Sequence, residues 1–266
     1  VFSQAEVAIL HGKLRWTDEL RGAPPLELSD VNLVLRNGSW RHGVRLDATP
    51  PKGWGERFSL RGEFREPVWS VRNGNWQTWS GQVYADLPSG DVSRLNQYAD
   101  LGTLKVSEGH GAVRAWVDVR RGEVVGGVAD LGLTQVRATL GKKLQPLALR
   151  SLTGRIGLQQ FDNGYEASAQ NLSFVTDDGL NWPAADLFLR QTGQASSTPL
   201  KTESKAESKL ASKVVSKEQG ELRASQLNLA VLAQIAQRLP LDSAVHDRLR
   251  QLAPQGLVQN LQASWH

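Results

Sequence analysis

Over most of the first 190 residues, apolar and polar side chains trade places at every second position. Val31, Leu33 and Leu35 alternate with Asn32 and Arg36, and Val44 and Leu46 flank Arg45. Phe58, Leu60 and Gly62 alternate with Ser59, Arg61 and Glu63; Val113, Ala115, Val117 and Val119 alternate with Arg114, Trp116, Asp118 and Arg120. A period of two sends successive side chains to opposite faces of an extended chain, so each run predicts a strand with one wet face. Leu147, Leu149, Leu152, Ile156 and Leu158 mark one or two further strands around Ser151 to Gly154. Turn signals separate the runs at Asn37-Gly38, Pro50-Pro51, Asn73-Gly74, Arg121-Gly122, Asn163-Gly164 and Asp178-Gly179, several of the type that tight hairpins favour. One-face alternation is the mark of an antiparallel sheet, since parallel strands are buried on both faces and read as continuous apolar runs.

The period changes in three places. Asp91–Asp100 sets Val92, Leu95 and Tyr98 on one side, Asn228–Leu239 carries Leu229, Leu232, Ile235, Ala236 and Leu239 at helical spacing, and Asp242–Leu252 follows Pro240 with Asp242 as a candidate N-cap. Gly81–Leu87 leads into the first helix and Gly220–Leu227 into the second pair, each followed by another strand. Two such strand–helix–strand units about 140 residues apart hint at a repeated architecture. Between Thr192 and Gln219 the pattern gives way to a Ser/Lys-rich four-residue repeat with too few large apolar groups to offset the entropy of ordering. The expected division is an antiparallel sheet segment over 1–191 with a short helix near 91–100, a disordered loop over 192–219, and a strand–helix–helix–strand unit over 220–266 that continues the sheet.

Charge narrows the function classes. The net charge is +4, but Lys201–Glu218 holds five Lys against three Glu, so the rest is close to an ordinary solvated surface and nucleic acid is not the expected partner. No Cys occurs, which removes disulfides, thiolate nucleophiles and Cys-based metal sites. No stretch is long and apolar enough to span a bilayer as a helix, and no signal-peptide pattern is present. The chain begins at Val1, lacks Met and stops at Trp265-His266, and it reads as a piece of a longer protein.

Candidate chemistry is sparse. His11, His42, His110, His246 and His266 fall in none of the helical metal-site spacings, and no nucleophile elbow, phosphate loop or dinucleotide fingerprint occurs. His110 beside Glu108 is the best base or ligand candidate, with a turn histidine between glycines as the simpler reading. Asp47, Asp86, Asp118 and Asp130 point outward from strands, and paired acid/base chemistry among them stays open until the fold is known. The nine Trp include a cluster at Trp69, Trp76 and Trp79 that suits sugar stacking, a membrane interface, or plain cross-strand packing. No catalytic residue, metal or cofactor is expected.

Five stretches carry a resemblance: Leu26-Glu-Leu-Ser-Asp-Val-Asn-Leu-Val-Leu-Arg-Asn-Gly38, Val44-Arg-Leu-Asp-Ala-Thr-Pro-Pro51, Trp79-Ser-Gly-Gln-Val-Tyr-Ala-Asp-Leu-Pro88, Gly111-Ala-Val-Arg-Ala-Trp-Val-Asp118 and Pro254-Gln-Gly-Leu-Val-Gln-Asn-Leu261. They resemble the periplasmic region of the YhdP family of AsmA-like proteins. The resemblance implies a mainly β fold, an elongated and twisted antiparallel sheet open as a trough with a few short helices. It also implies a Gram-negative cell-envelope protein anchored in the inner membrane by another part of the chain and involved in moving phospholipid toward the outer membrane. Its partners would be phospholipid acyl chains, the rest of the parent chain and other envelope proteins. Candidates for a lipid-contacting face are Val31, Leu33, Leu35, Val44, Leu46, Phe58, Leu60, Val113, Ala115, Val117, Leu147 and Leu149. The alternatives are a closed sandwich or helix-covered sheet in which these residues form a dry core, a scaffold without a lipid conduit, and a carbohydrate-binding β protein using the Trp cluster.

Overall fold

The computed structural model describes residues 4–17, 22–67, 76–98, 102–193, 219–241 and 243–266. Twelve strands form one open antiparallel sheet in strict sequence order, β1 to β12. They are β1 (Glu6–Trp16), β2 (Leu26–Asn37), β3 (Arg41–Thr49), β4 (Phe58–Arg65), β5 (Ser80–Asp91) and β6 (Lys105–Arg120), then β7 (Glu123–Thr139), β8 (Leu147–Phe161), β9 (Gly164–Thr176), β10 (Asn181–Thr192), β11 (Gln219–Asn228) and β12 (Leu257–Trp265). The sheet does not close on itself, so the sandwich alternative does not describe it. The Ser/Lys repeat, Trp69 and the candidate cap Asp242 lie outside the described residues.

Besides a 3-10 turn (Trp76–Thr78) between β4 and β5, two longer helical insertions interrupt the meander among the described residues, and a polar cap starts each. Asp91 ends β5 in an extended conformation and its side chain accepts from the Ser93 amide, starting a 3-10 turn (Val92–Arg94) that runs into α1 (Leu95–Tyr98). Asn228 ends β11 with nearly the same dihedrals and accepts from the Val231 amide, starting α2 (Leu229–Ile235). Each side chain satisfies an amide that the helix itself leaves orphaned. The chain then passes through a 3-10 turn (Ala236–Arg238) into α3 (Ser243–Leu252) and returns as β12.

The strands run up to 17 residues, in β7, and in several of them the alternation slips along the way. In β8, Leu147 and Leu149 pair with Ala138 and Val136, while Leu152 and Ile156 pair with Leu133 and Ala129 on the same face. The five residues that mark one or two strands in the sequence therefore belong to one strand with a three-residue step between Leu149 and Leu152. Matching steps separate Ile9 from Gly12, Leu28 from Val31, Leu133 from Val136, Ala169 from Leu172 and Leu261 from Val258. Positive φ at His11, Asp30, Gln135, Asn171 and Asn260 accompanies these steps, which is how a bulge inserts one residue without turning the apolar side outward.

Side chains replace the ladder bonds that the bulges break. Asn32 Oδ1 accepts from the His11 amide at 2.9 Å, Asp186 Oδ1 from the Asn171 amide at 2.8 Å, and Ser225 Oγ from the Asp186 amide at 2.9 Å. His11 and Arg57 hold the Asp30 carboxylate at 2.8 and 2.5 Å. Gly111, at φ 144°, fits the same seam because a Cβ there would run into the carbonyl of Gly132.

An apolar face, half capped and half bare

The register assembles the side chains into rows that cross the whole sheet. One row reads Ile9, Leu33, Leu46, Leu60, Ala85, Ala115, Ala129, Ile156, Ala169, Leu187, Ala224 and Leu261, one residue from each strand and every one apolar. The row two residues further along the strands reads Val7, Leu35, Val44, Gly62, Val83, Val117, Gly127, Leu158, Ala167, Leu189, Leu222 and Ala263. At about 4.8 Å per strand spacing, twelve strands extend these rows over roughly 50 Å.

The opposite face carries charge. Glu6 meets Arg36 at 3.2 Å, Asp86 meets Arg114 at 3.4 Å, Asp130 meets Arg155 at 2.5 Å and Glu166 meets Arg190 at 3.3 Å, each pair across neighbouring strands. The Arg155 guanidinium, donating to Asp130 and attracted by its charge, holds that carboxyl below the usual carboxylate range. These exposed pairs fix which side faces water more than they add stability.

Protein covers only part of the apolar face. At the end where β5 and β11 finish, Val92 from the first helical insertion and Val231 and Ile235 from α2 pack onto Leu133, Val136, Leu147, Leu149, Phe174 and Trp182. A smaller cluster of Leu28, Val31 and Ala48 sits at β2–β3, with Leu14, Leu26, Leu33, Leu46 and Phe58 around it. Away from these clusters, among the described residues, no helix or second sheet lies over the two rows. Leu158 is 57% exposed, Ile9 45% and Ile156 40%, while Leu35, Val44, Leu60, Val83, Val117, Leu189 and Leu222 are half-buried.

All twelve sequence candidates sit on this one face, but they divide between its two parts. Val31, Leu147 and Leu149 are 2%, 7% and 4% exposed and are filled against protein, which takes them out of any lipid-accessible surface. Phe58, Leu33 and Leu46 edge the β2–β3 cluster, and Val113 edges the helix-capped one. Leu35, Val44, Leu60, Ala115 and Val117 line the uncovered rows. Residues not singled out from the sequence complete them: Val83, Ala129, Ile156, Leu158, Ala167, Leu189, Leu222 and Leu261. Ile156 and Leu158 already showed the alternation in the sequence; the others lie in shorter or Ala-rich runs whose side only the register reveals.

The remaining candidates disperse. Glu108 and His110 line an open cleft on the charged side with Arg137, Arg150 and Asp177, and Glu108 is engaged by Arg137 at 3.2 Å. No group of three His, Asp or Glu among the described residues is arranged to hold a metal. Of the predicted cluster, Trp69 and the side chain of Trp76 lie outside the described residues. Trp79 is buried and stacked on His42 with centroids 3.9 Å apart, Trp182 is stacked on Phe174 at 5.5 Å, and Trp116 packs with Tyr84 at 5.3 Å on the charged face. Trp182 and Trp116 are thus engaged in cross-strand packing.

Such a sheet defines a class: a wide, open, antiparallel β platform with one apolar and one charged face, in which the apolar face is only partly used as a core. Within that class the chain belongs to the YhdP family, whose model, described as YhdP protein, matches residues 1–266. Comparison with curated proteins and with solved structures gives no match.

Proposed function

We propose that the uncovered rows of the apolar face bind phospholipid acyl chains, and that the chain is a non-enzymatic segment of an AsmA-like envelope protein that carries phospholipid between the inner and outer membranes. The supporting observation is the pair of apolar rows that cross all twelve strands without one polar residue, with Leu158, Ile9 and Ile156 on them exposed and cover among the described residues confined to the part beside the two buried clusters. A strip of roughly 50 Å is longer than the ~30 Å hydrocarbon thickness of a bilayer, so acyl chains can occupy it at several positions. Each methylene moved out of water contributes about 0.8 kcal/mol, which needs no specific polar contact and permits sliding along the row. Movement of this kind calls for no catalytic group. The reading places the segment in the periplasm, with the parent chain anchored in the inner membrane, and takes phospholipid, the rest of that chain and other envelope proteins as its partners.

Native mass spectrometry of protein purified from a Gram-negative host tests this. Wild-type protein should carry phospholipid masses, and the double variant Leu60→Glu, Leu158→Glu should lose them while keeping its circular dichroism. Consistently lipid-free wild-type protein would overturn the reading in favour of a scaffold.

A further inference from the structure

The last helix is amphipathic like α2 but is packed differently. Val245, Leu249 and Leu252 recur at helical spacing on one side of α3. Val245 is 43% and Leu252 74% exposed, and none of the three joins either core cluster, whereas Val231, Leu232 and Ile235 of α2 all pack into the larger one. A neighbouring side holds the helix in place: His246 Nε2 lies 2.8 Å from the Ala236 carbonyl and 3.2 Å from that of Leu239, so the ring nitrogen donates to them. The apolar stripe is therefore available without loosening the helix.

The charge around the stripe is mostly of one sign. Lys143, in the loop between β7 and β8, shares a cleft with His246, Asp247 and Arg250, and Lys142 is exposed next to it. Asp247 is engaged by Arg250 at 3.2 Å and Asp178 by Arg238 at 3.5 Å. Among the described residues no carboxylate is within ion-pair distance of Lys142, Lys143 or Arg248. Exposed apolar side chains on a helix that carries Arg248 beside them and faces Lys143 across its His246 side match an interface of acyl chains below and anionic headgroups above.

We infer that α3 docks on the surface of a membrane bearing anionic phospholipid, with Val245, Leu249 and Leu252 at the acyl boundary and Arg248, Lys142 and Lys143 among the phosphates. This contact lies at the helix-capped end of the strands, outside the uncovered rows, and does not depend on their holding lipid.

Co-sedimentation with extruded vesicles tests it. The chain should bind vesicles of phosphatidylcholine mixed with phosphatidylglycerol and bind phosphatidylcholine alone far less. Val245→Glu with Leu252→Glu should weaken binding at least tenfold, Arg248→Glu should weaken it less, and added salt should weaken the wild type. Leu158→Glu, on the bare rows, should leave vesicle binding intact, and the α3 variants should leave co-purified lipid in native mass spectra unchanged. Those two controls separate failure of this inference from failure of acyl-chain binding. Wild-type protein that ignores the anionic vesicles, or α3 variants that bind as well as wild type, would overturn it.

Discussion

The two ends of the apolar face are built from the same kinds of residue and put to different use. At one end Val136, Leu147, Leu149, Phe174 and Trp182 lie beneath Val231 and Ile235 of α2. At the other, Leu35, Val44, Val83, Leu158, Leu189 and Leu222 keep the same side of the sheet and, among the described residues, belong to neither buried cluster. Helical insertions after β5 and β11 make the difference, and both insertions leave from the same end of the sheet. Apolar alternation therefore decides which face a side chain occupies, and the placement of a few helical residues decides whether that face becomes core or surface.

The largest test of that contrast is truncation at each end. Ile235→Ala, at a site 2% exposed, should cost roughly 2–5 kcal/mol in urea unfolding. Leu158→Ala, at a site 57% exposed, should cost less than about 1 kcal/mol because little of its surface leaves water on folding. Equal costs would break the distinction between a capped and a bare end.

Removing a cap should act on one end only. Asn228 Oδ1 accepts from the Val231 amide at 3.2 Å, so Asn228→Ala should cost about 1 kcal/mol. Hydrogen exchange should then speed up in α2 and in the strand ends beneath it, while amides of the bare rows stay as protected as before. Uniform loss of protection would mean that the two ends unfold as one.

A smaller, pH-dependent effect concentrates near the first insertion. Burial pushes the Asp91 carboxyl up, but the hydroxyl and amide of Ser93 and the charge of Arg94 outweigh it and hold the pKa below its ordinary value. For Asp47, the Ser59 hydroxyl and then Arg45 have the same net effect. A depressed carboxylate pKa means that the folded state binds fewer protons, so the stabilisation is complete above about pH 3.9, the unfolded value, and is lost as pH falls through the folded pKa. Thermal unfolding from pH 6 down to pH 3 should show this loss in the wild type, with a shallower decline in Asp91→Asn. The smallest effect belongs to the charged face, where Asp130→Asn, removing the partner of Arg155, should leave Tm unchanged within error in a thermal melt.

Much of this architecture was legible residue by residue. Val31, Leu33 and Leu35 announced a strand with one wet face, and Asp91 and Asn228 stood where the period changed from two to helical. What stayed hidden was the phase slip. Leu147 and Leu149 fall out of step with Leu152, Ile156 and Leu158, so one strand of 15 residues read equally well as one or two, because a bulge moves the pattern by one position. Asp30, Asn171 and Gly154 are residue types that tolerate positive φ, and they mark the seam in retrospect. Cover was hidden for a different reason: Leu149 and Leu60 read alike in the sequence, and only the packing of Ile235 sets them apart.

The central claim is that lipid lies on the bare rows and nowhere else on the sheet. Placing the photoreactive residue benzoylphenylalanine at single positions, irradiating in cells and identifying the captured species by mass spectrometry tests it face by face. Phospholipid captured at Leu60, Leu158 and Leu222 but not at Tyr84 or Phe188, which project from the charged face of the neighbouring strands β5 and β10, is the predicted result. Equal capture on both faces, or none at Leu60, Leu158 and Leu222, would contradict it.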